Sequence, residues 1–169
     1  MPQFRYPFQR LKDVNAPFRD ELAEAMLRVV DSGYYVGGPE LERFETMLAG
    51  LCEAPYAVGV TNGLDALRLS LRAYKELGRL RDGDTVMVPA NTYVATVLAI
   101  TDNRLRPVLV EPSAITLNMD TGRLEEYFTP DVRAIMPVHL YGRTCWAASL
   151  AAFARRHNPL VIDDTPPAP

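Results

Sequence analysis

From residue 56 onward, short apolar runs alternate with longer segments whose apolar residues recur at helical spacing. The apolar, β-branched runs predict five strands, at residues 56–61, 85–90, 106–112, 133–142 and 159–163. The segments between them predict four helices, at residues 62–77, 91–103, 118–128 and 147–157. Nearly continuous apolar strands that alternate with helices are typical of a mainly parallel sheet covered on both faces. The pattern therefore predicts an α/β fold.

The first 55 residues follow a different pattern. Residues 16–33 and 39–51 are predicted to form two amphipathic helices, joined by the sequence YYVGG. Pro17 near the start of the first helix and Gly33 at its end fit the usual preferences for these positions. We therefore divide the chain into an N-terminal helical segment, residues 1–55, and a part of an α/β domain, residues 56–169. We expect the helices to cap the sheet or to contact a second subunit.

Composition narrows the class of protein. Hydrophobic residues make up 48% of the 169 residues and charged residues 23%, which is typical of a soluble globular protein with one core. The net charge of -3 does not favour nucleic acid or an anionic membrane as a partner. No apolar run reaches the about 20 residues of a membrane span, and the N-terminus lacks the apolar core of a signal peptide. Two cysteines favour a reducing cytoplasm, and two histidines do not favour a metal site.

Three of the predicted strand ends carry residues that suit one kind of ligand. The first strand turns through Asn62 and Gly63 into a helix, whose N-terminal amides and partial positive charge suit a phosphate. Tyr93 follows the second strand, in the first turn of the next helix, where its ring can stack on a flat ligand. The last strand ends in Asp163 and Asp164, and a carboxylate there can bind the protonated ring nitrogen of pyridoxal phosphate. Each feature alone has a simpler explanation, namely a helix N-cap, ordinary packing of the tyrosine, and an aspartate-capped turn.

Other residues with reactive side chains are few. His139 ends the fourth strand, where a general base is one interpretation. A hydrogen bond to a neighbouring loop is the favoured interpretation, because no nucleophile or acid lies beside this histidine in the sequence. Lys12 and Lys75 are the two lysines, so chemistry that requires a lysine amine has two candidates.

Six blocks of sequence occur in an order that points to one family. They are SGYYVGGPELERFE, AVGVTNGLDAL, GDTVMVPANTYVATVLAI, RPVLVEP, RAIMPVHLYG and PLVIDD. In this order they resemble the DegT/DnrJ/EryC1/StrS family of pyridoxal-phosphate sugar aminotransferases. The wording NGLDAL, PANTYVAT and AITDNRLRPVLVEP is most similar to the branch that aminates nucleotide-linked 3-keto-6-deoxyhexoses. The resemblance implies a homodimer of fold-type I aminotransferase architecture, in which residues 56–169 form an N-terminal part of the large domain that binds pyridoxal 5′-phosphate.

The resemblance also assigns the cofactor-binding residues. The phosphate-binding turn falls on Gly63 and Leu64, the ring-stacking aromatic on Tyr93, and the aspartate that pairs with the pyridinium nitrogen on Asp164. Many relatives carry a hydroxyl residue at the position of Leu64, so this residue would offer only its backbone N–H. The implied substrates are a nucleotide-linked keto-sugar and an amino donor such as glutamate.

The chain departs from the family pattern at its end. The glutamine that helps to hold the cofactor would fall on Pro167. The Schiff-base lysine would lie beyond Pro169, since neither Lys12 nor Lys75 matches its position. We therefore expect no catalytic residue in this chain and no activity from the chain alone. A frameshift after Asp164 is one interpretation of the final TPPAP, and a simple sequence boundary is the other.

Two further functions stay open at this point. The chain can be a non-catalytic relative that binds the cofactor or a partner subunit. A Rossmann-type dinucleotide domain also fits the alternation of strands and helices. The chain lacks the glycine-rich fingerprint of that domain and an acid at the ribose-binding spacing, which makes this the weaker alternative.

Overall fold

The computed structural model describes residues 10–165, which form two units that meet between Gly59 and Val60 in the sequence. The first unit contains α1 (Leu11–Asn15), a 3-10 turn (Ala16–Phe18), α2 (Arg19–Ser32) and α3 (Pro39–Leu51). The two amphipathic helices predicted in this segment are therefore confirmed. Gly33 ends α2 in the left-handed conformation, with φ 69°, and its amide donates to the carbonyl of Val30. No residue of these three helices is buried.

The second unit is built on a four-stranded parallel sheet. Its strands are β1 (Thr85–Pro89), β2 (Arg106–Val110), β3 (Val132–Ile135) and β4 (Leu160–Val161), in the order β2-β1-β3-β4. All three pairings are parallel. An isolated parallel bridge between Val138 and Asp164 extends the β3–β4 pairing beyond the ends of both strands. The predicted mainly parallel sheet is confirmed.

The helices of the second unit follow the predicted alternation. They are α4 (Gly63–Glu76), α5 (Val94–Asp102), α6 (Leu124–Tyr127) and α7 (Ala148–His157), with a 3-10 turn at Leu140–Gly142. Helix α5 begins later than predicted, because Tyr93 is its N-cap in an extended conformation and not part of its first turn. Among the residues described here, no helix is long and apolar enough to cross a membrane.

The sheet separates two hydrophobic cores, because alternate residues of its strands face opposite sides. Val86 and Val88 of β1 face one side and pack with residues of α4 and α5, such as Leu71 and Ile100. Met87 faces the other side and packs with residues of α6 and α7. Because successive strand residues point to opposite faces of a sheet, one apolar strand supplies both cores. Helices therefore cover both faces, as predicted.

The strand predicted at residues 56–61 is wrong. The chain is irregular over residues 56–60 and forms no ladder with the four-stranded sheet. Tyr56 and Val58 are exposed, Tyr56 at 84%. A strand forms only where a neighbouring strand pairs with its N–H and C=O groups, and residues 56–60 have no such neighbour within residues 10–165. Apolar, β-branched composition alone was the basis of this prediction, and it is not sufficient.

Candidate functional site

A cavity of about 600 Å³ lies at the carboxyl end of the sheet, within the second unit. The start of α4, the segment that leads into α5, and the residues that follow β3 and β4 form its walls. In parallel sheets, ligands bind at this end of the strands. The four residues assigned to a cofactor, Gly63, Leu64, Tyr93 and Asp164, all line this cavity.

At the N-terminus of α4, two backbone amides of residues that line this cavity have no acceptor among the described residues. Asn62 is the N-cap, and its Oδ1 atom accepts a hydrogen bond from the Asp65 amide at 2.9 Å, as the N-cap interpretation predicted. The Asn62 carbonyl accepts from the Ala66 amide at 3.0 Å. The amides of Gly63 and Leu64 precede these donors, and neither has a protein acceptor within residues 10–165. An anion at this helix end would find two free N–H donors and the positive end of the helix dipole.

Tyr93 stands at the junction between β1 and α5. Its side chain is 76% exposed, so ordinary packing against neighbours does not account for its position. The extended backbone at Tyr93, with φ -64° and ψ 143°, places the residue just before the helix begins. A largely free aromatic ring on the cavity wall can cover one face of a flat ligand.

Asp164 reaches the cavity from a backbone that the sheet holds firmly. Its amide donates to the Pro137 carbonyl at 2.9 Å, and its carbonyl accepts from the His139 amide at 3.1 Å. Its side-chain Oδ2 accepts a hydrogen bond from the Thr96 hydroxyl at 2.7 Å. The Thr96 hydroxyl in turn lies 2.9 Å from the Thr92 hydroxyl. The carboxylate is thereby tied to α5 as well as to the sheet.

The neighbouring acid, Asp163, has a different partner. Its Oδ1 atom lies 3.3 Å from Nε2 of His139. The Nδ1 atom of His139 accepts the Cys145 amide at 2.9 Å, so in the neutral ring Nε2 carries the proton and faces the aspartate. The predicted hydrogen bond between His139 and a neighbouring loop is confirmed. The expectation that no acid lies beside the histidine holds for the sequence but not for the folded chain.

Sequence reasoning assigned no role to Thr92 and Thr96, although both lie in the quoted block PANTYVAT. Their spacing of four residues was the signal that would have placed both hydroxyls on one side of a helix. Nothing in the linear sequence indicates that a residue 68 positions later would accept the hydrogen bond from Thr96. Thr96 is also buried, at 1% exposed, so its hydroxyl relies on a partner within the protein.

The lysines do not contribute to the lining of the cavity. Lys75 donates to Asp82 and, at 2.6 Å, to the carbonyl of Asn103, in the turns that precede the strands. Lys12 lies in α1 of the first unit. Within the residues that the structure describes, the lining contains no lysine. Pro167, at which the resemblance places the family's glutamine, lies outside the described residues.

Known proteins match this chain over nearly its whole length. The model of the DegT/DnrJ/EryC1/StrS aminotransferase family matches residues 18–168. A curated relative from Aneurinibacillus thermoaerophilus, dTDP-3-amino-3,6-dideoxy-alpha-D-galactopyranose transaminase, is 46% identical over 158 residues. The match covers 94% of this chain and 42% of that protein.

Solved structures agree with the sequence match. Streptomyces venezuelae DesV, in complex with a ketimine intermediate, has a TM-score of 0.86 and 42% identity, and the match covers 96% of this chain and 43% of that one. Bacillus subtilis NtdA, with bound cofactor PMP, has a TM-score of 0.84 and 30% identity, with 97% and 37% covered.

The chain thus spans less than half the length of the relatives it matches. Its predicted fold class, a partial large domain of a fold-type I aminotransferase, is confirmed. The resemblance noted in the sequence is confirmed as well, since the family model covers far more than half of the residues. This chain belongs to the DegT/DnrJ/EryC1/StrS aminotransferase family.

Proposed function

We propose that this chain is the cofactor-binding part of an aminotransferase that uses pyridoxal 5′-phosphate to aminate a nucleotide-linked keto-sugar. The observation that carries the proposal is the convergence of Gly63, Leu64, Tyr93 and Asp164 on one cavity at the carboxyl end of the sheet. A keto-sugar linked to a nucleotide is the proposed acceptor, because the Aneurinibacillus relative is named as a transaminase of a dTDP-linked amino sugar. Glutamate is the proposed amino donor.

The residues on the cavity wall fit the chemistry of this cofactor. Two free amides at the positive end of α4 suit its phosphate, and a carboxylate suits its protonated ring nitrogen. An exposed aromatic ring suits its flat face. When bound, the cofactor supplies an electron sink for carbanions formed beside its ring.

The residues that line the cavity have separate roles in this proposal. The Asp164 carboxylate accepts a hydrogen bond from the ring nitrogen and keeps the proton on that atom. Gly63 and Leu64 hold the phosphate through backbone N–H groups, so the leucine side chain does not interfere with this contact. Tyr93 covers the ring and excludes water from that face.

Assembly and location complete the proposal. A homodimer is proposed from the family resemblance. The cytoplasm is proposed because the two cysteines, Cys52 and Cys145, are both free thiols.

Binding of pyridoxamine 5′-phosphate (PMP) tests the cofactor site, because PMP needs no lysine to bind. We expect the chain to bind PMP in a fluorescence titration, and Asp164→Asn to weaken binding by at least about tenfold, since the negative charge that pairs with the protonated ring nitrogen is lost. Asp163→Asn is the matched control, because it makes the same change one residue away, where the side chain faces His139. Equal losses in both variants, or no binding by the unaltered chain, would overturn the assignment.

A second candidate is non-catalytic cofactor binding. It is favoured by the lining of the cavity, which includes no lysine among residues 10–165. Treatment with pyridoxal phosphate and borohydride, followed by mass spectrometry, separates the candidates when it is applied to a chain extended to the length of the relatives. A covalent adduct that disappears in Asp164→Asn would indicate a Schiff base at this site, and reversible binding without an adduct favours the second candidate.

A further inference from the structure

We propose that Thr96 is a positioning residue, which orients the Asp164 carboxylate and leaves Oδ1 as the oxygen available to a ligand. Thr92 supports it by holding the Thr96 hydroxyl. This inference rests on the proposed function, because it concerns the aspartate assigned to the ring nitrogen of the cofactor.

The contact joins two distant parts of the chain inside the second unit. The Thr96 hydroxyl lies in the first turn of α5 and donates to Asp164 Oδ2 at 2.7 Å across a sequence separation of 68 residues. Thr96 is 1% exposed, so its side chain is almost completely shielded from bulk water. Both residues line the cavity.

The direction of the hydrogen bonds follows from the number of hydrogens. An ionised carboxylate only accepts, so the single hydrogen of the Thr96 hydroxyl points to Asp164. The Thr92 hydroxyl must then donate to the Thr96 oxygen, at 2.9 Å. The result is a chain of donors from Thr92 to Thr96 to the carboxylate, with each hydroxyl used once.

This chain of hydrogen bonds restricts the one part of Asp164 that the sheet leaves mobile. Hydrogen bonds to Pro137 and His139 hold its backbone, but they do not set its side-chain torsions. The bond from Thr96 occupies Oδ2, and Oδ1 has no hydrogen-bond partner within residues 10–165. A carboxylate that is oriented in advance binds a ligand with less loss of rotamer freedom.

Two substitutions at one position separate the hydroxyl from the shape of the side chain. Thr96→Val keeps the branched shape and removes the donor, whereas Thr96→Ser keeps the donor. We expect Thr96→Val to weaken PMP binding by about tenfold and Thr96→Ser by less than about threefold, measured by fluorescence titration. Equal affinity of Thr96→Val and the unaltered chain would overturn the inference.

A double-mutant cycle with Asp164→Ala distinguishes positioning from general support of the fold. Once the acceptor is removed, Thr96→Val should change PMP affinity by less than about twofold. A similar loss in both backgrounds would mean that Thr96 acts through packing, and would overturn the inference. If Asp164→Ala has no effect on binding, the proposed function itself fails, which is a different outcome from a failure at Thr96 alone.

Circular dichroism shows whether each variant folds. If Thr96→Val does not fold, Thr92→Val replaces it, because the Thr92 side chain is only partly buried and its loss removes the support for the Thr96 hydroxyl. We expect Thr92→Val to weaken PMP binding by a smaller factor, about threefold. An unchanged affinity in Thr92→Val would overturn the inference, because the orientation of the Asp164 carboxylate would then not depend on the donors from Thr92 to Thr96.

Discussion

The amino and carboxyl ends of the parallel sheet differ in what their polar groups contact. At the amino end, charged side chains in the turns before the strands bind one another. Asp82 contacts Lys75 and Arg104, and Arg106 contacts Asp131 at 2.8 Å. The pKa of Asp82 lies below its ordinary value, mainly because Lys75 donates a hydrogen bond to its carboxylate and secondly because Arg104 does so. These groups connect turns to helices and have their partners within the protein.

At the carboxyl end, several polar groups have no partner within the described chain. The amides of Gly63 and Leu64 lack an acceptor, and Asp164 uses one carboxylate oxygen for Thr96. These groups border a cavity, so a ligand can reach them. Polar groups that have protein partners therefore stabilise the fold, whereas polar groups without partners beside a cavity indicate a binding site. Helix N-termini follow the strands at this end, which adds a positive potential there.

Lys75→Met should give the largest effect at the amino end. The side chain of Lys75 is 14% exposed, and its loss leaves the Asn103 carbonyl without a charged donor. We expect the free energy of unfolding to fall by about 1.5 to 3 kcal/mol, measured by urea denaturation. Arg72→Met is the control, because Arg72 and its partner Glu76 are both exposed and the pair contributes about 1 kcal/mol or less. PMP affinity should not change in either variant, and a loss in Lys75→Met would contradict the separation of the two ends.

Thr85→Val should have the next largest effect, with the opposite sign. The hydroxyl of Thr85 is buried at the start of β1 and has no hydrogen-bond partner among the described residues. Removing a buried donor without a partner, at nearly constant shape, should raise the free energy of unfolding by about 1 kcal/mol. Thermal denaturation measures this gain, and destabilisation would show that the hydroxyl has a partner such as a buried water. The same substitution at Thr96 is expected to weaken PMP binding, which sharpens the contrast between the two ends.

Gly63→Ala should separate stability from binding at the carboxyl end. A Cβ atom at Gly63 meets no atom within 4 Å. Alanine at the first helical position should raise the free energy of unfolding by about 0.5 kcal/mol, because it reduces the freedom of the unfolded chain. The added methyl group should nevertheless weaken PMP binding, since a phosphate must approach this backbone closely. Gly50→Ala in α3 is the control, because its site is also open and only stability should rise. Unchanged PMP affinity in Gly63→Ala would argue against a phosphate at this turn.

The pH dependence of stability should give the smallest effect, because Asp82 is exposed and surface ion pairs are weak. The lowered pKa of Asp82 means that the folded chain favours the carboxylate more than the unfolded chain does. This contribution is present above the ordinary pKa range of an aspartate, and it is lost as the pH falls through the lower folded-state pKa. Tm measured from neutral to acid pH should therefore fall less steeply in Asp82→Asn than in the unaltered chain. Parallel curves would show that this pair makes no contribution.

The local pattern of apolar residues was sufficient to predict a strand or helix wherever the described chain supplies the neighbours that pack or pair with it. The apolar runs of β1 to β4 and the helical spacing in α4 and α7 predicted those elements, because their buried faces follow from period two and period 3.6. The run at residues 56–61 has the same composition, yet it forms no strand, because pairing depends on a neighbour that composition does not reveal. Tyr93 was placed within the first turn of α5 for a similar reason, since helix starts depend on capping contacts.

The residues alone were sufficient for the family, the α/β alternation, and the choice of Gly63, Leu64, Tyr93 and Asp164 as candidate cofactor-binding residues. Their roles toward a cofactor stay predictions. Only the tertiary structure decided that these residues line one cavity, and that Thr96 holds Asp164 whereas His139 holds Asp163. The physical reason is that periodicity reports which face of an element is apolar, whereas a hydrogen bond across 68 residues depends on how separate elements pack.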